Sequence, residues 1–247
     1  MAIEDEKTRP ALKAVKRKDV TEVTTRRVKA VKRSGTAEAR FSRFLVERRV
    51  SVLRRGGLLN AAEKKDNGWV LREMLDKIDT AWFVMRNEPL LTTISRLLVE
   101  QGYDLDVMSG RTCVAGLRLQ RVTSPSSGRA QLVGPDGELL AVLLVKGQHH
   151  VECLDGAGRP LVKLEVVHAS QCNLLAGDRS IGTLVRVAEP GLLLTTYELD
   201  LSLSESATGF QRLCAAAAVV TGEAWHLASK HLRGKDATGD LLSLFDD

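Results

Sequence analysis

The second half of the chain is organised around short apolar runs separated by turn residues. From about residue 111, runs rich in valine and leucine alternate with turn clusters at 124–128, 134–137, 155–160 and 177–180. That spacing predicts about eight short antiparallel strands. Three segments align at an offset of 21 residues. Val133, Leu154 and Leu175 correspond, as do Leu143, Leu164 and Val185, and also Val145, Val166 and Val187. Gly137 matches Gly158, while Arg179 breaks the glycine column. Each unit reads as strand, tight turn, strand. A lone hairpin is marginally stable, so successive hairpins in one meander are expected.

Upstream, the periodicity predicts helices. Thr36 is placed to cap a helix reaching about Leu53 and stopped by Gly56 and Gly57, with Phe41, Phe44 and Leu45 on one face. A second helix is expected over 69–78 from the spacing of Val70, Leu71, Met74, Leu75 and Ile78. A third runs from an Asn87 cap, with Pro89 in its first turn, to Gly102. Its stripe of Leu90, Leu91, Ile94, Leu97 and Leu98 suits packing on the sheet. A final helix is expected over 209–230. Residues 213–220 offer no polar face for two turns, and a helix apolar all round belongs inside something.

The fold class read from this pattern is α+β. A helical N-terminal half precedes an antiparallel β-rich C-terminal domain, able to close as a barrel, with a buried C-terminal helix. The expected divisions are a basic arm over 1–34, a helical region over 35–108, the β-rich domain over 109–232 and a flexible acidic tail over 233–247.

Charge changes the functional picture. Residues 1–56 hold 17 Lys and Arg against 7 Asp and Glu, a net of +10. The remainder holds 19 against 24, a net of −5. A positive arm on a mildly acidic body points to a polyanionic partner. The arm carries KAVKR twice around a Val/Thr-rich stretch of poor helix propensity, and disorder in isolation is expected. Lys13, Lys16, Arg17, Lys18, Arg26, Arg27, Lys29, Lys32 and Arg33 are the expected phosphate contacts, giving salt-sensitive binding with little dependence on base sequence. The arm has no aromatics for base stacking. The first expectation is therefore a non-catalytic nucleic-acid-binding protein, of DNA or RNA, whose body mediates assembly. Anionic lipid surfaces attract the same residues. The cluster at 16–18, followed by 26–33, also has a bipartite nuclear-import look. A virion or scaffold component is a further alternative, since a basic arm on a β domain is also a packaging layout.

Motifs of chemistry are scarce. No GxSxG, Walker A or GxGxxG is present, and GPDGE and DGAGRP are hairpin turns. His149, His150, Cys153, His168 and Cys172 are the metal-ligand candidates, but their spacing matches no zinc pattern. No enzyme, cofactor or metal is expected. The N-terminus lacks the apolar segment of a secretory signal, and the longest apolar run has eight residues. An intracellular chain, cytoplasmic or nuclear, with reduced cysteines is the expectation.

Hairpins of the form apolar–turn–Gly–apolar, then TTYELDLSL over 195–203 and LCAAAAVV over 213–220, resemble the tubby C-terminal-like class, which includes phospholipid scramblases and LURP-one-related proteins. The resemblance spans about residues 111–225. It implies a twelve-stranded barrel wrapped around a buried C-terminal helix, with contact to phosphoinositides or membranes. That makes a phospholipid- or phosphoinositide-binding module the alternative to nucleic acid. The tail LLSLF is similar to the pentapeptide by which bacterial DNA-processing proteins dock on the sliding clamp, with Leu241 in place of the usual glutamine. Leu241, Leu242, Leu244 and Phe245 are thus candidates for a protein contact, and oligomerisation is open.

Overall fold

A computed structural model describes residues 40–46, 49–55, 68–86, 99, 101–147, 150–168, 170–188 and 198–243. The chain divides into two compact units, residues 1–34 and residues 35–247, and the described residues all belong to the second.

Alternation of apolar and polar side chains builds twelve strands: β1 Arg49–Arg55, β2 Gly68–Glu73, β3 Asp79–Met85, β4 Tyr103–Ser109, β5 Thr112–Leu119, β6 Gly128–Val133, β7 Leu139–Val145, β8 Val151–Leu154, β9 Pro160–His168, β10 Gln171–Ala176, β11 Arg179–Ala188 and β12 Glu198–Leu203. Each pairs antiparallel with its neighbours in sequence, and β1 pairs with β12 to close a barrel. Closure leaves no sheet edge to template aggregation.

The inward row of each strand is apolar and buried. Examples are Val50 and Val52 on β1, Leu105 and Val107 on β4, Ala130 and Leu132 on β6, and Leu199 and Leu201 on β12. Twelve strands enclose more space than wall side chains fill. Helix α1, Gly209–Ser243, supplies the rest. It begins with a reciprocal cap: the Gln211 N–H donates to the Thr208 hydroxyl at 3.2 Å, and the Thr208 N–H donates to the Gln211 side-chain oxygen at 3.0 Å. Residues 213–220 are buried on every side, as their composition requires. Small inward residues on the wall, Ala115, Ala130 and Ala141, match the alanine-rich helix. Each fully buried Leu or Val here is worth about 1.5–3 kcal/mol.

At the end where α1 enters, Phe41, Phe44 and Leu45 are buried, and the Phe41 ring stacks on Phe210 with centroids 5.7 Å apart. Arg212 fixes this plug by donating to the Leu45 carbonyl at 2.9 Å.

Several expectations are corrected. The described residues of the N-terminal half are mainly strands, not helices. The segment predicted as a helix from Thr36 to Leu53 breaks at Leu45, which takes φ 47°, and continues as β1. The Val-Ser-Val alternation of period two wins over the helical reading because both valines reach the core while Ser51, on the other face and itself buried, donates to Asp200 of β12. Residues 69–78 form β2 and the tip of the β2–β3 hairpin, not a helix. Trp69 and Leu71 point into the barrel, whereas Met74, Leu75 and Ile78 are exposed at the tip. The third helix, over 87–102, lies mostly outside the described residues; Val99 is helical there and Gly102 has φ 76°. The eight strands expected after residue 111 are β5 to β12, and four more, β1 to β4, precede them. Helix α1 continues past Lys230 to Ser243.

The 21-residue repeat maps onto consecutive hairpins β6–β7, β8–β9 and β10–β11. The first two share a five-residue turn with Gly137 and Gly158 at φ 82° and 80°, a conformation side chains disfavour. The third has a two-residue turn at Gly177 and Asp178 and a register shift between Leu174 and Leu175. That shift moves the equivalence by one position. Leu184 takes the core place, and Val185 is exposed, unlike Leu143 and Leu164.

Candidate functional site: an arginine groove on the barrel wall

The same alternation that fills the core writes charge on the outer wall. In β4 (YDLDVMS) Leu105 and Val107 face inward, so Asp104 and Asp106 face out. In β5 (TCVAGLRL) Ala115, Leu117 and Leu119 face inward, so Gly116 and Arg118 face out. Register aligns Asp104 with Arg118 and Arg118 with Gln131 on β6. Arg86 extends this row from the end of β3, its N–H donating to the Asp104 carbonyl at 3.1 Å.

A groove of about 530 Å³ opens here, lined among others by Arg86, Arg118, Arg121, Gln101, Gln120 and Gln131. Headgroup-sized ligands fit sites of this volume. The Arg86 guanidinium donates twice to Asp106 Oδ1, from Nε at 2.9 Å and Nη2 at 2.5 Å. This hydrogen bond, with the attraction behind it, raises the Arg86 pKa above its ordinary value. Gly116 borders this pair: a Cβ there would meet Arg86 Nη2 at 3.5 Å, an ordinary contact. Asp104 Oδ2 sits 3.8 Å from Arg86 Nη1 and 3.9 Å from Arg118 Nε. One carboxylate oxygen thus rests between two guanidinium groups, in the manner of a bound anion. Arg121 is aimed by donating from Nε to the Val99 carbonyl at 2.9 Å. Arg129 is exposed on the same face of β6 two residues from Gln131, outside the groove lining. Planar guanidinium forks of this kind suit phosphate oxygens.

The residues singled out from sequence fare differently. The nine arm cations, Lys13 to Arg33, lie outside the described residues, as do His149, Leu244 and Phe245. Leu241 and Leu242 fall in the backbone of α1. His150 stands 3.7 Å from Glu152 at the β7–β8 turn, and His168 is exposed at the end of β9. Cys153 is buried in the wall, and Cys172 is buried further round, where burial followed by the Glu223 carboxylate pushes its thiol up to about 11. Glu223 itself, on α1, is 3.9 Å from Arg186 of β11. Among the described residues no three His, Cys, Asp or Glu side chains gather as a metal site. Among them, too, no helix is long and apolar enough to cross a membrane.

Sequence reasoning missed the groove because its arginines lie far apart along the chain and only strand pairing unites them. The available signal was the strict alternation of YDLDV and AGLRL, which assigns their charges to one face.

Comparison with known proteins adds no assignment: the chain matches no family model, no curated protein and no solved structure.

Proposed function

We propose that this protein is a non-catalytic module that binds anionic phospholipid headgroups, phosphoinositides foremost, in the arginine groove, with a tubby-like barrel as its scaffold. The observation that carries the reading is the closed twelve-stranded antiparallel barrel around the buried helix α1, the architecture that the resemblance implies. The groove supports it with three arginines set against Asp104 and Asp106 in a cleft of headgroup size. Phosphate groups would displace the loosely held Asp104 carboxylate and take its place between Arg86 and Arg118.

Flotation of the full-length chain with phosphatidylcholine vesicles, with and without phosphatidylinositol bisphosphate, tests this reading. The same assay is run on a chain whose nine arm cations are replaced by glutamine. Retained, phosphoinositide-dependent flotation of that variant is the expected result. Flotation that vanishes with the arm charges would return the function to the arm and to the polyanions, nucleic acid among them, that its charge suits.

A further inference from the structure

The tip of the β2–β3 hairpin presents apolar side chains to solvent. Leu75 is 88% exposed, Ile78 56% and Met74 39%. The tip is nonetheless a fixed structure. The Glu73 N–H donates to the Ile78 carbonyl at 2.8 Å, and Lys77 holds φ 54°, an unusual conformation for a residue with a side chain. The Met74 N–H donates to the Arg49 carbonyl at 3.3 Å, which ties the tip to the start of β1, where Val46 is also 61% exposed. Exposed Lys77 lies in this apolar tip and exposed Arg49 beside it, with Asp76 exposed and Glu73 half-buried on the same hairpin.

From this we infer that the hairpin tip 74–78 inserts into the interface of an anionic lipid bilayer, Leu75 and Ile78 entering the acyl boundary while Arg49 and Lys77 meet the headgroups. Arg49 and Lys77 beside exposed apolar side chains suit that occupant, and so does size. Stable protein partners bury roughly 1,200–2,000 Å² in total, far more than a few side chains on a turn provide. A bilayer needs only a few apolar side chains beside a basic cluster. The inference rests on the headgroup reading for its orientation. Strand β3 runs from the tip to Arg86, and seven residues at about 3.4 Å each place tip and groove roughly 24 Å apart on one flank of the barrel. A barrel lying on that flank touches the membrane with both.

The test uses the full-length chain, so that the arm is common to every sample. Partition into phosphatidylcholine vesicles containing phosphatidylserine is measured for wild type and for a double variant, Leu75→Asp with Ile78→Asp. Both positions are exposed, so folding is not at stake, and inositol trisphosphate titration reports the groove separately. The expected result is a loss of about tenfold or more in partition, the scale of one withdrawn leucine-sized side chain, with trisphosphate binding unchanged. A Leu75→Trp variant is expected to gain blue-shifted emission with these vesicles relative to wild type. Unchanged partition of the double variant overturns the inference while leaving the groove intact. A dimer in light scattering that the double variant abolishes also overturns it, since a second copy is then the occupant. If trisphosphate fails to bind yet the double variant still loses partition, insertion stands and the groove reading falls.

Discussion

Trp225 on α1 lies directly over Gly128 on β6, and its indole N–H donates to the Ser124 carbonyl at 3.1 Å. A Cβ at position 128 would fall 1.7 Å from Trp225 Cζ2, so the contact exists only because glycine is there. The helix is thereby registered against the barrel where it reaches the β5–β6 turn. Ser229 adds a second tie one turn on, donating to the Pro125 carbonyl at 3.4 Å. Gly128→Ala is expected to destabilise the fold by about 1–3 kcal/mol through overpacking. Urea unfolding followed by tryptophan emission checks this, and a change below 0.5 kcal/mol, on the order of an ordinary surface substitution, would contradict it.

In the groove, Asp104 competes with any incoming anion. Asp104→Asn is expected to strengthen phosphoinositide binding a few-fold, because it removes a like charge while keeping the side chain's size. Arg118→Ala is expected to weaken it about tenfold or more, the scale of lost charge-assisted hydrogen bonds. Opposite signs at two facing positions are hard to produce by misfolding. Vesicle titrations of both variants give the result.

The β7–β8 turn carries a pH-sensitive pair. Lys146 Nζ donates to Glu152 at 2.6 Å, which holds the carboxyl below its ordinary range despite partial burial. A carboxyl depressed in the folded state adds stability above its unfolded pKa, about 4.3, and loses it as pH falls through the folded value. The melting-temperature gap between wild type and Lys146→Gln should therefore be full at neutral pH and close in acid. A gap that widens on acidification would contradict the pairing.

Of the four cysteines, Cys113 is exposed, whereas Cys153, Cys172 and Cys214 are buried. The Cys214 thiol, in contact with Cys153 and buried beside it, is held well above the usual range. Buried thiols in apolar surroundings are poor nucleophiles. Iodoacetamide should modify one cysteine in the native chain and four after unfolding. Cys113 should react slowly even so, since partial burial and then Asp106 raise its pKa. Two or more rapid native equivalents would mean a looser barrel than the one described.

The sequence was most legible where side-chain type leaves one solution. The run 213–220 has no polar face and had to be buried, and turn clusters at 134–137, 155–160 and 177–180 marked hairpins because glycine and aspartate punctuate them. It was least legible over 49–85. There Val70, Leu71, Met74, Leu75 and Ile78 meet helical spacing by coincidence, and strands β1 to β3 declare themselves only through pairing with distant partners such as β12. The groove followed the same rule. Arg86, Arg118 and Arg121 carry no motif, and only the pairing of β4, β5 and β6 brings their neighbours together.

The most direct measurement is calorimetric titration of inositol trisphosphate into the full-length chain and into its Arg86→Ala, Arg118→Ala, Arg121→Ala variant, with circular dichroism confirming that both are folded. Saturable binding to the wild-type chain that is lost in the triple variant is the predicted outcome. Equal binding by the two proteins, or none by the wild-type chain, would contradict a headgroup site in this groove.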